Sequence, residues 1–412
     1  MVYTVAKCIS FQVSEKEVIV ENKITLKRCA LNFESYAIIN AFKKVDFTYK
    51  DFCSIDISTI EEKKVFWDFL LKNQIIISKK NYKVEPFLRL YNQTYFGLQA
   101  QEYKGVRNKI CLLGIPYAMG NINSLSIEKT PSYLRTISSR FNIAHLNTNL
   151  LGQLIGMDTQ LLDANKEALF HNTIDIGDLF YYLTESPSNY FHKIDRLISQ
   201  LVNNKNIPFS IGGDHSISYP IIKAISDNKD IGIIHFDAHS DTYFSEIDEF
   251  YGDITVNHHG NFLTKVLELD RVKQVITLGP RGLKGCQLTG ELNQKHMLFS
   301  SFQIQQSDDW LSAIDTDLSY YLTFDVDVFH PSLLAGVSDP ISNGLSFNKV
   351  ISMLDILFKK LNIAGIDLVE VDPQRDQTGV TGDIVLQLIM HLLTRTVNNK
   401  YKNYDEQEYI RI

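Results

Sequence analysis

The sequence predicts an α/β protein, a parallel sheet in three layers, with a small α+β unit ahead of it. Two observations carry that prediction. From about residue 109 onward, continuous apolar runs such as KICLLGIP, IPFSIGG and IGIIHFD alternate with helical stretches, the mark of a sheet buried by helices on both faces. Before residue 83 the texture differs, with short alternating strands, two helices and a closing strand.

In the first unit, KCISFQV and EVIVENKITLKRC alternate in the manner of short strands, and LNFESYAIINAFKK reads as a helix capped by Asn32, with Tyr36, Ile39 and Phe42 near one face. A second helix is expected from Ser58, which stands three positions before Glu61 in capping-box spacing; it would carry Val65, Phe66, Phe69 and Leu70 inward. The strand QIIIS follows. Residues 1–82 therefore read as a winged-helix-like domain, and 83–108 as a linker, because periodicity lapses there. Residues 109–396 read as the α/β domain and 397–412 as a polar tail. Within the α/β domain, NYFHKIDRLISQLV, SYPIIKAI, NFLTKVLEL and SFNKVISMLDILFKKL supply helices. QVITLG, YYLTFDVD and IAGIDLVEVDP supply further strands.

Composition narrows the function. The 412 residues are 44% hydrophobic and 22% charged, as in an ordinary globular protein. A net charge of −7 and the lack of a Lys/Arg run give no footprint for nucleic acid. The N-terminus lacks the pattern of a secretory signal and no apolar run is long enough to span a bilayer, so no membrane partner is expected and the cytoplasm is the expected location. Five scattered cysteines (Cys8, Cys29, Cys53, Cys111, Cys286) suggest neither a disulfide framework nor a thiolate zinc site. There is also no G-x-S-x-G elbow and no activated cysteine context.

In a parallel sheet, functional groups collect where strands end. Here SIGGDHS places His215, GIIHFDAHSD places Asp237, His239 and Asp241, YLTFDVD places Asp325 and Asp327, and GIDLVEVDP places Glu370. Spacing of i, i+2, i+4 aims three side chains of an extended segment to one side. One Asp or His at a strand end is ordinarily a cap, but six on three strand ends are not explained that way. Four carboxylates together would repel and be badly desolvated, and divalent cations are the simplest remedy. Two imidazoles and four carboxylates exceed one ion's needs and match a two-metal site, and a donor set rich in oxygen and free of thiolate favours Mn²⁺. Such a pair makes hydroxide available near neutral pH, which implies hydrolysis at an electron-poor carbon. His259, in VNHHGNF, suits proton delivery to a leaving amine, and Glu370 suits bidentate pairing with a planar cation. From sequence alone, His258 and His259 stand equally as loop residues, and Glu370 as one half of a surface ion pair.

Taken together, these residues resemble the ureohydrolases, the family of arginases and agmatinases. GGDHS, DAHSD, FDVDVFHP with the downstream NGLS, and DLVEVDP stand in the family's order within residues 109–395, and LLGIPYAMG and DIGDL look like two of its strands. The resemblance implies an arginase-like fold and two Mn²⁺ per subunit, held by His215, Asp237, His239, Asp241, Asp325 and Asp327, with Asp237 and Asp325 bridging. It also implies His259 as the catalytic histidine, Glu370 as receiver of the guanidinium, and a homo-oligomer, which the added domain would bear upon. The implied reaction releases urea and an amine.

Three departures matter. His330 stands where the family usually has Asp, at a position that is not a ligand, so the metal pair is expected to survive. Tyr243 replaces an Asn, and Thr255-Val256-Asn257 replaces a Ser-Gly-Asn, both of which hold the α-carboxylate in enzymes acting on free arginine. Without those donors the free amino acid's carboxylate would be left unpaired. Tyr243 and Asn257 would then face some other substrate. The N-terminal unit resembles the small winged-helix domains that hold a leader peptide as an added strand in ribosomal peptide modification. Together these features imply a peptide arginase that turns arginine in a precursor peptide into ornithine. The alternative is a small-molecule ureohydrolase acting on agmatine, a guanidino acid or formiminoglutamate. A non-catalytic protein on the same fold is the third possibility, and the complete ligand set speaks against it.

Overall fold

Alternation and apolar runs set out two bodies of different make. The computed structural model describes residues 2–6, 9–22, 27–43, 45–55, 60–78, 86–121, 123–141, 167–182, 185–243, 257–283 and 294–408. The N-terminal unit runs β1 (Val2–Val5), β2 (Ile9–Val13), β3 (Val18–Asn22), β4 (Arg28–Leu31), α1 (Phe33–Phe42), β5 (Phe47–Thr48), α2 (Tyr49–Cys53), α3 (Ile60–Lys72) and β6 (Ile76–Ser78). Strand β1 pairs antiparallel with β5 and β6, while β2, β3 and β4 form a separate antiparallel meander. Asn32 caps α1 by accepting from the Ser35 N–H at 2.8 Å, as the sequence predicts.

Helix α3 is turned differently from expectation. Leu70 is buried as expected, but Val65 is 66% exposed and Trp67 fills the core in its place, with Phe66 and Phe69 half-buried against it. The reason is aromatic packing: Tyr3, Phe47, Tyr49 and Phe52 surround the Trp67 ring with centroids 4.8 to 6.1 Å away. Burying an indole among them outweighs burying a valine. The Ser58 cap expected for this helix lies outside the described residues.

The main body contains β7 (Leu88–Arg89), β8 (Gln99–Ala100), β9 (Ile110–Ile115), α4 (Thr130–Ser138), β10 (Thr173–Leu179), α5 (Pro187–Asn203), β11 (Ile207–Gly212), α6 (Ser218–Ser226), β12 (Ile231–Phe236) and α7 (Phe262–Leu267). It continues through β13 (Val272–Leu278), β14 (His296–Phe299), α8 (Ser301–Gln306), β15 (Ser319–Asp325), α9 (Phe347–Lys360), β16 (Asn362–Val369) and α10 (Val380–Glu408). Ten strands make one sheet in the order β14-β13-β12-β15-β16-β11-β9-β10-β7, with β8 also on β10. All neighbours are parallel except β7 against β10.

Buried side chains of α4, α9 and α10 cover one face, those of α5, α6 and α7 the other, which gives the three layers. The apolar runs are continuous because both faces of each strand are dry. Within the segment read as a linker, β7 and β8 join the sheet, and Tyr95, Phe96 and Leu98 enter its core. The last helix runs on to Glu408, through most of the stretch read as a tail. Phe180 and Tyr182, just beyond β10, pack on the N-terminal core. Among the described residues, no helix is long and apolar enough to cross a membrane.

Candidate metal centre

Four adjacent strands, β12, β15, β16 and β11, bring their carboxyl ends to one place. Past β11 the chain turns at Gly213, where the backbone of Tyr117 leaves no room for a Cβ. That turn delivers His215, which is fully buried. Its Nδ1 lies 3.2 Å from Asp237 Oδ2, 3.1 Å from Asp241 Oδ2 and 3.5 Å from Asp325 Oδ2. His239 Nδ1 lies 2.9 Å from Asp327 Oδ2 and 3.4 Å from Asp237 Oδ1. The six residues named from spacing thus form two lobes that share Asp237, one oxygen toward each. Asp241 has φ 48°, a left-handed conformation that costs on the order of 1–3 kcal/mol and is borne where a site fixes it.

Hydrogen bonds decide which imidazole nitrogen faces the cluster. Asp367 accepts the hydroxyls of Ser218 (2.6 Å), Tyr321 (2.7 Å) and Thr323 (2.6 Å). Since Thr323 gives its proton to Asp367, its oxygen accepts from His215 Nε2–H at 2.9 Å. The Nδ1 of His215 is then bare, and it is a buried nitrogen without a hydrogen-bond partner. A second row runs from Asp237 Oδ2 to His235 Nε2 (2.9 Å), from His235 Nδ1 to Thr277 (3.0 Å) and on to His296 Nε2 (2.7 Å).

The cluster holds its charges poorly by itself. Burial, then the facing Asp327 and Asp237, push the Asp325 carboxyl well above the usual carboxylate range. Burial and Asp237 raise Asp241 as well. Burial would raise Asp237 too, but His235 and His239 hold it well below. A bare buried nitrogen among crowded carboxylates is what a cation would satisfy, and the two groupings His215/His235/Asp237/Asp241 and Asp237/His239/Asp327 have ligand spacing. The residues present therefore fit a pair of divalent cations. His235 already has a partner on each nitrogen, so its part is to orient Asp237.

Beside this cluster stands Glu370, with φ 66° and 2% exposed. Oε1 accepts from the His215 N–H (2.9 Å) and faces His259 Nδ1 (3.5 Å); Oε2 accepts from Asn121 Nδ2 (2.8 Å) and Ser338 Oγ (2.8 Å). Burial pulls the His259 imidazole down, but Glu370 and the nearby carboxylates carry it up to about 9. Burial pushes Glu370 up, while His259, the His215 N–H and Ser338 bring it below the ordinary value. Bidentate pairing with a planar cation, as the sequence suggests, would require Asn121 or Ser338 to give way, because both lone pairs of Oε2 are taken.

Tyr243 donates its N–H to the Gly260 carbonyl at 2.9 Å, which sets it beside the His259 turn. Asn257 Oδ1 is buried with no hydrogen-bond partner among the described residues. Thr255 and Val256 lie outside the described residues. His330 Nδ1 meets Ser332 Oγ at 2.7 Å and accepts the Ser332 N–H at 3.2 Å, bonds within its own turn. His235, Asn121, Ser338, Thr323 and Asp367 were not singled out from sequence. His235 and Thr323 had a signal there, because they stand two positions before Asp237 and Asp325 in the same alternation.

Comparison with known proteins agrees with this picture. The model of the Arginase family matches residues 108–394. The agmatinase of Escherichia coli O9:H4 (strain HS) is 28% identical over 293 residues, 68% of this chain and 85% of that protein. The solved proclavaminate amidino hydrolase from Streptomyces clavuligerus is similar with a TM-score of 0.61 at 21% identity, over 75% of this chain and 98% of that one. The formimidoylglutamase from Bacillus subtilis subsp. subtilis str. 168 is similar with a TM-score of 0.59 at 21% identity, over 74% and 92%. At such identities the two structures speak for the fold.

Proposed function

This chain belongs to the arginase family, hydrolases of guanidino C–N bonds, and we propose that its substrate is an arginine side chain within a peptide, released as urea to leave ornithine. The observation that carries the reading is the N-terminal unit from β1 to β6, with its own core and an open sheet edge among the described residues. Strand β4 is the edge of its meander, and beside it a groove of about 710 Å³ runs between Ala30, Leu31 and Ser35 and the Val65, Phe66 and Phe69 side of α3. An edge strand next to an apolar groove accepts an extended peptide by strand addition. Further support comes from a second groove, of about 580 Å³, lined by Tyr117, Met119, Phe191, Tyr219 and Asn257. Its walls are chain neighbours of Asn121 and His259, so a peptide would have a path beside the site.

His215, Asp237, His239, Asp241, Asp325 and Asp327 would hold two Mn²⁺. Bound there, the cations would supply a water acidic enough to ionise near neutral pH. Glu370 receives the guanidinium and turns its carbon toward the cluster. His259 is charged at neutral pH and holds a proton at Nδ1, 3.5 Å from Glu370 Oε1. As the water oxygen joins the guanidinium carbon, the bond from that carbon to the side-chain nitrogen breaks, and His259 gives the departing amine its proton. Tyr243 and Asn257 are placed to meet the chain that carries the guanidinium.

The agmatinase likeness supports a second reading, a small guanidino substrate such as agmatine. Incubating the full chain and Mn²⁺ with an arginine-containing precursor peptide separates the two. The peptide should lose CH2N2 for each arginine converted; an unchanged peptide beside rapid agmatine turnover would reject the peptide reading.

A further inference from the structure

The loop that leaves β9 touches both groups assigned to the substrate, and it is tied down by a carboxylate with no assigned role. Asp214 has no solvent exposure. Its Oδ2 accepts the Gly120 N–H at 2.7 Å, and its Oδ1 accepts the Ser216 N–H at 2.9 Å and the Ser216 hydroxyl. A Cβ on residue 120 would sit 2.6 Å from Ser216 Oγ and 2.9 Å from Asp214 Oδ1, so the approach is one that only glycine permits.

From that fixed point the loop reaches two ways. The Gly120 carbonyl accepts the His259 N–H at 3.0 Å. Asn121, 2% exposed, donates Nδ2 to Glu370 Oε2 at 2.8 Å and to Ser338 Oγ at 3.0 Å. Its amide cannot be reversed, because Oδ1 accepts the N–H groups of Asn123 (2.7 Å) and Ser124 (3.2 Å). Oε2 of Glu370 is thereby filled, and the lone pair of Oε1 that looks toward His259 is the one left for a cation.

We propose that Asp214 and Asn121 are positioning residues: Asp214 clamps the loop at Gly120, and through that clamp Asn121 fixes the face Glu370 presents while the Gly120 carbonyl fixes His259 against it. This rests on the reading that Glu370 receives the guanidinium and His259 delivers the proton. The clamp ties the two tasks to one piece of backbone, so loosening it disturbs both while the metal ligands stay in place.

The test compares Asn121→Ala, Asp214→Asn and Gly120→Ala with wild type, loaded with Mn²⁺, on whichever of the arginine peptide and agmatine wild type turns over, with bound metal counted in each. Asn121→Ala should keep its metal and raise KM about ten- to a hundredfold, as expected when one charged hydrogen bond that aligns a substrate group is lost. Asp214→Asn turns one of the two acceptor oxygens into an NH2 that must face either the Gly120 N–H or the Ser216 N–H; it should raise KM and also shift the pH profile of kcat, since His259 moves. Gly120→Ala attacks the same contact from the other side and should reproduce that pair of effects. Wild-type KM and an unchanged pH profile in these variants would overturn the proposal, and so would metal loss in proportion to activity, which would mean the loop acts through His215. Wild type that releases urea from neither substrate would instead overturn the functional reading itself.

Discussion

His215 is held at one nitrogen and offered at the other, and the holding depends on a hydroxyl. Thr323→Val keeps the shape but leaves Nε2–H without its acceptor, so the tautomer that bares Nδ1 is no longer enforced. Metal affinity should fall by about ten- to a hundredfold, read by titrating the metal-free protein with Mn²⁺. Asp237, shared by both lobes, should be less forgiving: Asp237→Ala loses metal and activity together. His259→Ala should keep its metal and slow turnover by about 10²–10⁴; full activity in that variant would remove His259 from the mechanism. A further histidine sets a pH dependence. Burial, helped by His235, carries His296 down to about 3. A histidine in the unfolded chain titrates near 6.5, so between the two values the unfolded state binds a proton that the folded state refuses. This group therefore leaves stability untouched above about pH 7 and erodes it as pH falls from about 6.5 toward 3, by up to ~1.4 kcal/mol per pH unit. His296→Gln, which keeps a donor for Thr277, should lose less stability than wild type between about pH 7 and pH 5 in chemical unfolding; equal slopes would sink the assignment. At this scale the sequence makes legible that Asp237, His239, Asp241, Asp325 and Asp327 gather at the ends of β12 and β15. Asp241, with its left-handed backbone, and Asp327, in a 3-10 turn, are nonetheless delivered by turns and not by the extended run the spacing suggests. Asn121 and Ser338 stayed hidden because contacts between distant segments place them, and nothing in their own neighbourhoods marks them.

The loop after β15 shows how an element is held around those residues. Arg281 Nη2 donates to the carbonyls of Asp327 (2.7 Å), Phe329 (3.1 Å) and Ile341 (2.9 Å), Nη1 donates to Val328 (3.1 Å), and Nε donates to Ser342 (2.9 Å). One guanidinium thus pins the turn carrying Asp327 to the segment after it, and its charge stands near Asp237, Asp325 and Asp327. Arg281→Ala leaves several carbonyls without their donor. It should lower the unfolding free energy by about 2–4 kcal/mol, measured by denaturant titration, and weaken Mn²⁺ binding as the turn loosens. The strands of the main sheet were legible because burial on both faces writes itself as a continuous apolar run. Helix α3 was legible in place but not in rotation, since an amphipathic stripe containing Val65, Phe66, Trp67, Phe69 and Leu70 admits more than one inward face. Which face wins depended on aromatic partners from β5, α2 and β1 that no local pattern reveals.

At the scale of the whole molecule, the join between the two bodies decides what can be removed. The described residues from 86 onward belong to the main body as much as to any connection: β7 and β8 extend the sheet, and Tyr95, Phe96 and Leu98 sit in its core. The sequence hid this because a two-residue strand has no period to read and its pairing with β10 is set from the other side of the fold. Removing residues 1–85 would uncover Phe87, Phe180 and Tyr182 but leave the main sheet whole. Removing residues 1–100 would take away two strands and four buried apolar side chains, Leu88, Tyr95, Phe96 and Leu98, each large aromatic costing about 3–5 kcal/mol. The shorter deletion should therefore give a folded chain with a single thermal transition, and the longer one a chain that fails to fold. The folded truncation also divides the functional readings. If the N-terminal unit only docks a peptide, the truncated enzyme should keep its Mn²⁺ and its turnover of any small guanidino compound while kcat/KM for the peptide collapses. Equal loss toward both substrates would mean that the unit supports the site itself, and undiminished turnover of the peptide would mean that the β4 edge takes no part in binding it.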